Sequence, residues 1–117
     1  MEKSDAISAL GALGQDTRLE AFRLLVKSEP EGLPAGELAR SLNVPQNTLS
    51  AHLSVLAQAG LVVGERRSRS IIYRANLETF RTLTLFLVQD CCGNNDHFKA
   101  SLFGAPPTRN KRKSLAR

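Results

Sequence analysis

The chain has 117 residues, 42% hydrophobic and 23% charged, enough to bury one core and too few for a second domain of ordinary size. Its longest strongly apolar run, residues 83 to 88, falls far short of the roughly 20 residues of a membrane span. The opening MEKSDAIS lacks the apolar stretch of a secretory signal, so a soluble, cytoplasmic protein is expected.

The net charge of +5 belongs to the ending. TRNKRKSLAR holds Arg109, Lys111, Arg112, Lys113 and Arg117 without an acid, whereas residues 1 to 107 hold 11 basic and 11 acidic side chains. That neutral body is divided. Residues 1 to 39 carry four Lys/Arg against seven Asp/Glu, and residues 40 to 81 carry six Arg against Glu65 and Glu78 alone. The middle of the chain therefore presents a basic face, which is either a solvated surface or a surface for a polyanion.

In chain order, DAISALGAL spaces Ile7, Leu10 and Leu13 as a helix does. DTRLEAFRLLVKS follows with Asp16 as its expected N-cap and Leu19, Phe22, Leu25 and Val26 along one side. Pro30, Gly32 and Pro34 break the pattern, and AGELARSL resumes it for about two turns until Asn43 and Val44. Pro45 suits the first turn of a new helix, QNTLSAHLSVLAQAG, with Leu49, Leu53 and Leu56 at i, i+4, i+7 and Gly60 closing it. Two helices joined by three residues make a helix-turn-helix. The second carries Gln46, Asn47, Ser50 and Ser54 on its polar side, uncharged hydrogen-bonding groups suited to base edges in a major groove.

LVVGERRSRSIIYRA then has the alternation of a β-hairpin around the polar turn RRSRS. A hairpin after such a helix is a wing, and Arg66, Arg67 and Arg69 gather near its tip, where guanidinium groups suit phosphates. The fold expected is mainly α with a small β-hairpin, a winged helix-turn-helix. LETFRTLTLFLVQD forms the last helix, apolar at Leu77, Phe80, Leu83, Leu85, Phe86, Leu87 and Val88. That is more apolar surface than one small domain covers. Pairing with a second copy through the N- and C-terminal helices would bury it, giving a homodimer whose operator is an inverted repeat in double-stranded DNA. Residues 1–92 are expected to form the DNA-binding and dimerisation domain, and 93–117 a flexible tail, basic from 109.

Cys91 and Cys92 are the two cysteines of the chain. Adjacent thiols build no disulfide framework, and in a cytosol they stay reduced. Their neighbours Asp90, Gly93 and Asn94 are polar, which favours an accessible pair. Such a pair serves as ligands for a soft metal or metalloid, as a redox switch, or as inert filler. An enzyme is not expected, since two histidines and no phosphate-binding loop offer no catalytic set.

Three stretches, LGQDTRLEAFRLL, LARSLNVPQNTLSAHLSVLAQAGLV and RRSRSIIYRA, make residues 6 to 92 resemble the arsenical-resistance repressor (ArsR/SmtB) family of winged-helix regulators. The resemblance implies a repressor in which Gln46, Asn47 and Ser50 contact DNA. His52 matches the histidine of the family's S-x-H-L element; its own reading stays open between a DNA contact and a half-buried helix histidine. Ala51 departs from the long polar residue usual there, which keeps open a protein-interaction module without DNA binding. The family's Cys-Val-Cys inducer site corresponds to GLPAGEL and is missing, and no histidine falls within residues 77 to 92 to rebuild its zinc site. The chain is most similar to members with a vicinal cysteine pair after the last helix. That implies no constitutive cofactor and release by trivalent arsenic or antimony at Cys91 and Cys92. A third family cysteine is lacking, and Asp96 or His97 stands near its place, which also leaves zinc as an effector.

Overall fold

A computed structural model of the chain describes residues 1–91, 93, 95–102 and 104. Cys92, Asn94 and the basic ending with Arg109, Lys111, Arg112, Lys113 and Arg117 lie outside the described residues. Among those described, no helix is long and apolar enough to cross a membrane. Met1–Leu83 form one compact unit and a second begins at Thr84.

Helix α1 (Lys3–Leu13) does not bury the residues that mark it in the sequence. Ala6, Ala9 and Ala12 are buried, while Ile7 and Leu10 are 61% and 44% exposed. An alanine stripe lets α1 lie close against its neighbours α2 (Asp16–Lys27) and α4 (Gln46–Gln58), and turns the larger side chains outward. The cap of α2 is Gln15 rather than Asp16: its Oε1 accepts from the Arg18 N–H at 2.9 Å, satisfying an otherwise orphaned donor. Phe22, Ala21 and Leu25 are the buried face of α2.

The Pro- and Gly-rich break after α2 contains a short strand that periodicity did not reveal. Strand β1 (Leu33–Pro34) pairs antiparallel with β3 (Ser70–Ala75), Leu33 opposite Tyr73 and Pro34 opposite Ile72; β3 pairs in turn with β2 (Val62–Arg67). The order β1-β3-β2 makes the wing the outer part of a three-stranded sheet. Arg74 of β3 donates to Glu29 at 2.9 Å, fastening the wing to the end of α2. That hydrogen bond, and then the carboxylate's charge, raise the Arg74 guanidinium above its ordinary range. Asn76 begins α5 (Leu77–Phe86) by accepting from the Thr79 N–H, and its own N–H donates to the Leu61 carbonyl at 2.8 Å.

The core is leucine. Leu25, Leu38, Leu49, Leu53, Leu56 and Leu61 are fully buried, each worth about 1.5–3 kcal/mol of apolar burial. The second unit adds a π-helical turn, Leu87–Cys91, directly after α5, and a helix α6 (Asp96–Leu102). Helix α6 lies in the stretch expected to be a flexible tail. Asn95 starts it, its Oδ1 accepting from the Phe98 N–H at 2.8 Å, an N-cap signal that the neighbouring glycine obscured.

Gly32 has φ +78°, and a Cβ there would run into the Tyr73 carbonyl oxygen and the Arg74 side chain. Gly32→Ala should therefore lower stability by about 2 kcal/mol or more, read as a lower urea midpoint with an unchanged slope.

Candidate nucleic-acid interface

Helix α3 (Ala35–Leu42) and α4 are joined by residues 43 to 45. The turn is held by backbone bonds alone. Asn43 takes the left-handed conformation, φ 58°, its N–H reaching the Arg40 carbonyl at 3.2 Å while the Val44 N–H reaches that of Ala39 at 3.1 Å. This is a Schellman ending. Pro45 stands just before α4 as its N-cap, one position earlier than the sequence suggested.

At the far end the same device recurs with glycine. Gly60 (φ +80°) donates to the Ala57 carbonyl and Leu61 to that of Leu56, both at 2.9 Å, with Leu56 and Leu61 fully buried. The chain thereby leaves α4 directly into β2. Two left-handed residues, Asn43 and Gly60, thus fix where the helix begins and stops.

Leu49, Leu53 and Leu56 are the buried edge of α4. Gln46, Asn47, Ser50 and Ser54 are all exposed, as expected from the sequence. Thr48, outside the set expected from the sequence, is also exposed in the first turn; its place in a helix with an uncharged polar start was the available signal. Ala51 and Val55 are exposed too, giving the surface an apolar strip. His52 is half-buried and makes a contact of 3.2 Å between its Nδ1 and Arg18 Nη1. It does not join the exposed polar set.

In the wing, β2 and β3 run to Arg67 and Ser70, so the turn is only Ser68 and Arg69, with Ser68 at φ 55°. Arg66, Arg67 and Arg69 are exposed. Arg67 pairs with Glu65 at 3.3 Å, an exposed bridge of little energetic weight; Arg66 and Arg69 have no acidic partner among the described residues. Cys91 is exposed at the end of the π turn. Asp96 and His97 are exposed on the first turn of α6, and no cluster of three or more metal-binding side chains occurs among the described residues.

Residues 13–65 match the family model of a helix-turn-helix domain. Over 101 residues the chain is 31% identical to the HTH-type transcriptional regulator NmtR of Mycobacterium tuberculosis, covering 86% of this chain and 78% of that protein. The chain belongs to the ArsR/SmtB family of winged-helix transcriptional regulators. Its fold is that of an ArsR-like transcriptional regulator from Rhodococcus sp. RHA1, with a TM-score of 0.69 at 24% identity over 91% of this chain and 96% of that one. It is also that of the homodimeric winged helix-turn-helix domain of Mb0332 from Mycobacterium bovis, with a TM-score of 0.61 at 24% identity over 80% and 87%. As an ArsR/SmtB member the chain is a DNA-binding regulator of transcription and not an enzyme.

The left-handed Asn43 gives the helix-turn-helix a direct test. Asn43→Val should cost about 1–2 kcal/mol, whereas Asn43→Gly should stay within about 0.5 kcal/mol of the parent, both measured by chemical denaturation.

Proposed function

We propose that this ArsR/SmtB regulator is a homodimeric repressor released from an inverted-repeat operator by trivalent arsenicals or antimonite bound at Cys91 and Cys92. The observation that carries the effector reading is the exposed thiol of Cys91 at the end of a π turn. π turns arise mostly as local insertions in helices and recur at functional sites. An accessible thiol there can be offered to a thiophilic centre. Trivalent arsenic takes three soft donors, so two cysteines suit a species already carrying a carbon substituent, such as methylarsenite, or one completed by an exogenous thiol.

In this reading Gln46, Asn47, Ser50 and Ser54 meet base edges, and Arg66, Arg67 and Arg69 neutralise phosphates. The outward apolar residues support pairing of two copies. Ile7 and Leu10 on α1 and Leu77 and Phe80 on α5 are exposed. Leu13, Leu19, Phe22, Val26, Leu77 and Phe80 line a mostly apolar groove of about 380 Å³ on the first unit. Two reading helices in a dimer lie about one DNA turn apart. Effector binding alters the packing of the terminal helices, and the half-site spacing no longer matches.

Fluorescence anisotropy with DNA from upstream of the gene tests both parts. Cys91→Ser/Cys92→Ser protein should bind the operator with parental affinity and stay bound when methylarsenite, arsenite or antimonite is added, while the parent weakens about 5- to 150-fold. Normal release of the double variant removes the sensor assignment, and release of the parent by zinc or an oxidant alone reassigns the effector. For the dimer, Ile7→Glu should shift sedimentation to the monomer and weaken operator binding together.

A further inference from the structure

Arg18 ties three helices together. Its Nε donates to the Ala12 carbonyl at 2.7 Å and its Nη2 lies 3.5 Å from the Gly11 carbonyl, both in the last turn of α1. That turn contains no basic residue of its own, so Arg18 supplies from α2 the positive charge and the donors that the orphan carbonyls of a helix end require. Its third arm, Nη1, reaches His52 Nδ1 at 3.2 Å, in the middle of α4 and 34 residues away in sequence.

The chemistry of the pair is one-sided. Arginine has five N–H donors and no acceptor, so the imidazole must accept. Nδ1 is therefore unprotonated, and the ring proton of neutral His52 stands on Nε2. The helical angle points the same way. At about 100° per residue, His52 lies roughly 160° around α4 from both Ser50 and Ser54, away from the exposed polar side and next to the leucine edge.

We infer that His52 is a positioning residue for DNA recognition, accepting from Arg18 so as to lock the rotation of α4 about its own axis relative to the end of α1. The inference rests on α4 being the helix that enters the groove. Base readout depends on short, directed hydrogen bonds from Gln46, Asn47, Ser50 and Ser54, and a few degrees of roll misaligns all of them at once. Phosphate attraction tolerates such a roll. Loss of the Arg18–His52 bond thus reduces preference for the operator and leaves nonspecific affinity where it was.

Two amide substitutions separate positioning from base contact. In His52→Asn, Oδ1 hangs from Cγ as the imidazole Nδ1 does and can accept from Arg18. In His52→Gln, the amide reaches instead to the place of Nε2. Anisotropy titrations of the full chain with operator and with scrambled DNA, each over a salt series, should show His52→Asn near the parent. His52→Gln and His52→Ala should lose about tenfold or more in operator affinity, the scale of one charge-assisted hydrogen bond. Scrambled-DNA affinity and the salt slope should stay unchanged. In Arg18→Met/His52→Ala the loss should be no greater than in the worse single variant. Parental affinity in His52→Gln with loss in His52→Asn, or parental affinity in all three His52 variants, overturns the inference. Equal affinity of the parent for operator and scrambled DNA would instead strike at the reading of α4 itself. Thermal unfolding of each variant separates loss of fold from loss of recognition, and the Asn–Gln comparison survives any destabilisation shared by both.

Discussion

Burial of one edge of α4 governs the rest of the structure. Leu49, Leu53 and Leu56 are fully enclosed, and the helix touches α1, α2, α3 and β2. Helix α4 is therefore part of the core and not merely laid on its surface. Truncating any of the three leucines would cost about 2–5 kcal/mol, a large part of the 5–15 kcal/mol typical of a whole domain. The inward edge therefore has no freedom. The outward residues, Gln46, Asn47, Thr48, Ser50 and Ser54, support almost nothing in the fold, and can be chosen for what they meet.

The ends of α4 are fixed as firmly as its side. Left-handed Asn43 and Gly60 close α3 and α4 by backbone bonds that need no particular side chain. Leu61, the residue after Gly60, is fully buried and accepts from the Asn76 N–H. That bond joins the base of β2 to the start of α5, while Glu29 holds Arg74 on β3. Reading helix and wing thus share one rigid footing. The exposed arginines at the wing tip and the polar residues of α4 are thereby mounted on one compact unit.

Much of this was legible in the sequence because it follows from local chemistry. The i, i+4, i+7 leucines, the three-residue turn, Gly60 and the RRSRS hairpin each state their own conformation. Part of what was missed depends on partners distant in the chain, and part on local signals too weak to stand out. Periodicity showed that α1 has an apolar side with Ile7, Leu10 and Leu13 but not that an alanine stripe would be buried instead, since close approach favours the smaller residue. Strand β1 is two residues long and exists only through β3. Asn95 as a cap competed with a neighbouring Gly93, and the π turn ending at Cys91 has no compositional signal. The role of His52 stays open in the sequence because its partner, Arg18, lies 34 residues away.

On the proposed mechanism of release, the energetics suit a regulator whose helix α4 and wing share one footing. Each good bidentate base contact is worth about 1–3 kcal/mol of discrimination, and allosteric coupling is typically of the same size. On that proposal, an effector at the last helix would have no need to unfold anything. It would have only to displace the two copies of α4 enough that each lost one well-directed contact. A soft mounting would absorb such a displacement by local adjustment. A stiff one, with three leucines below, a Schellman closure at each junction and Arg18 gripping both α1 and α4, would pass it on to the base edges. Firm mounting of α4 within each copy would thus let a small change between two copies suffice.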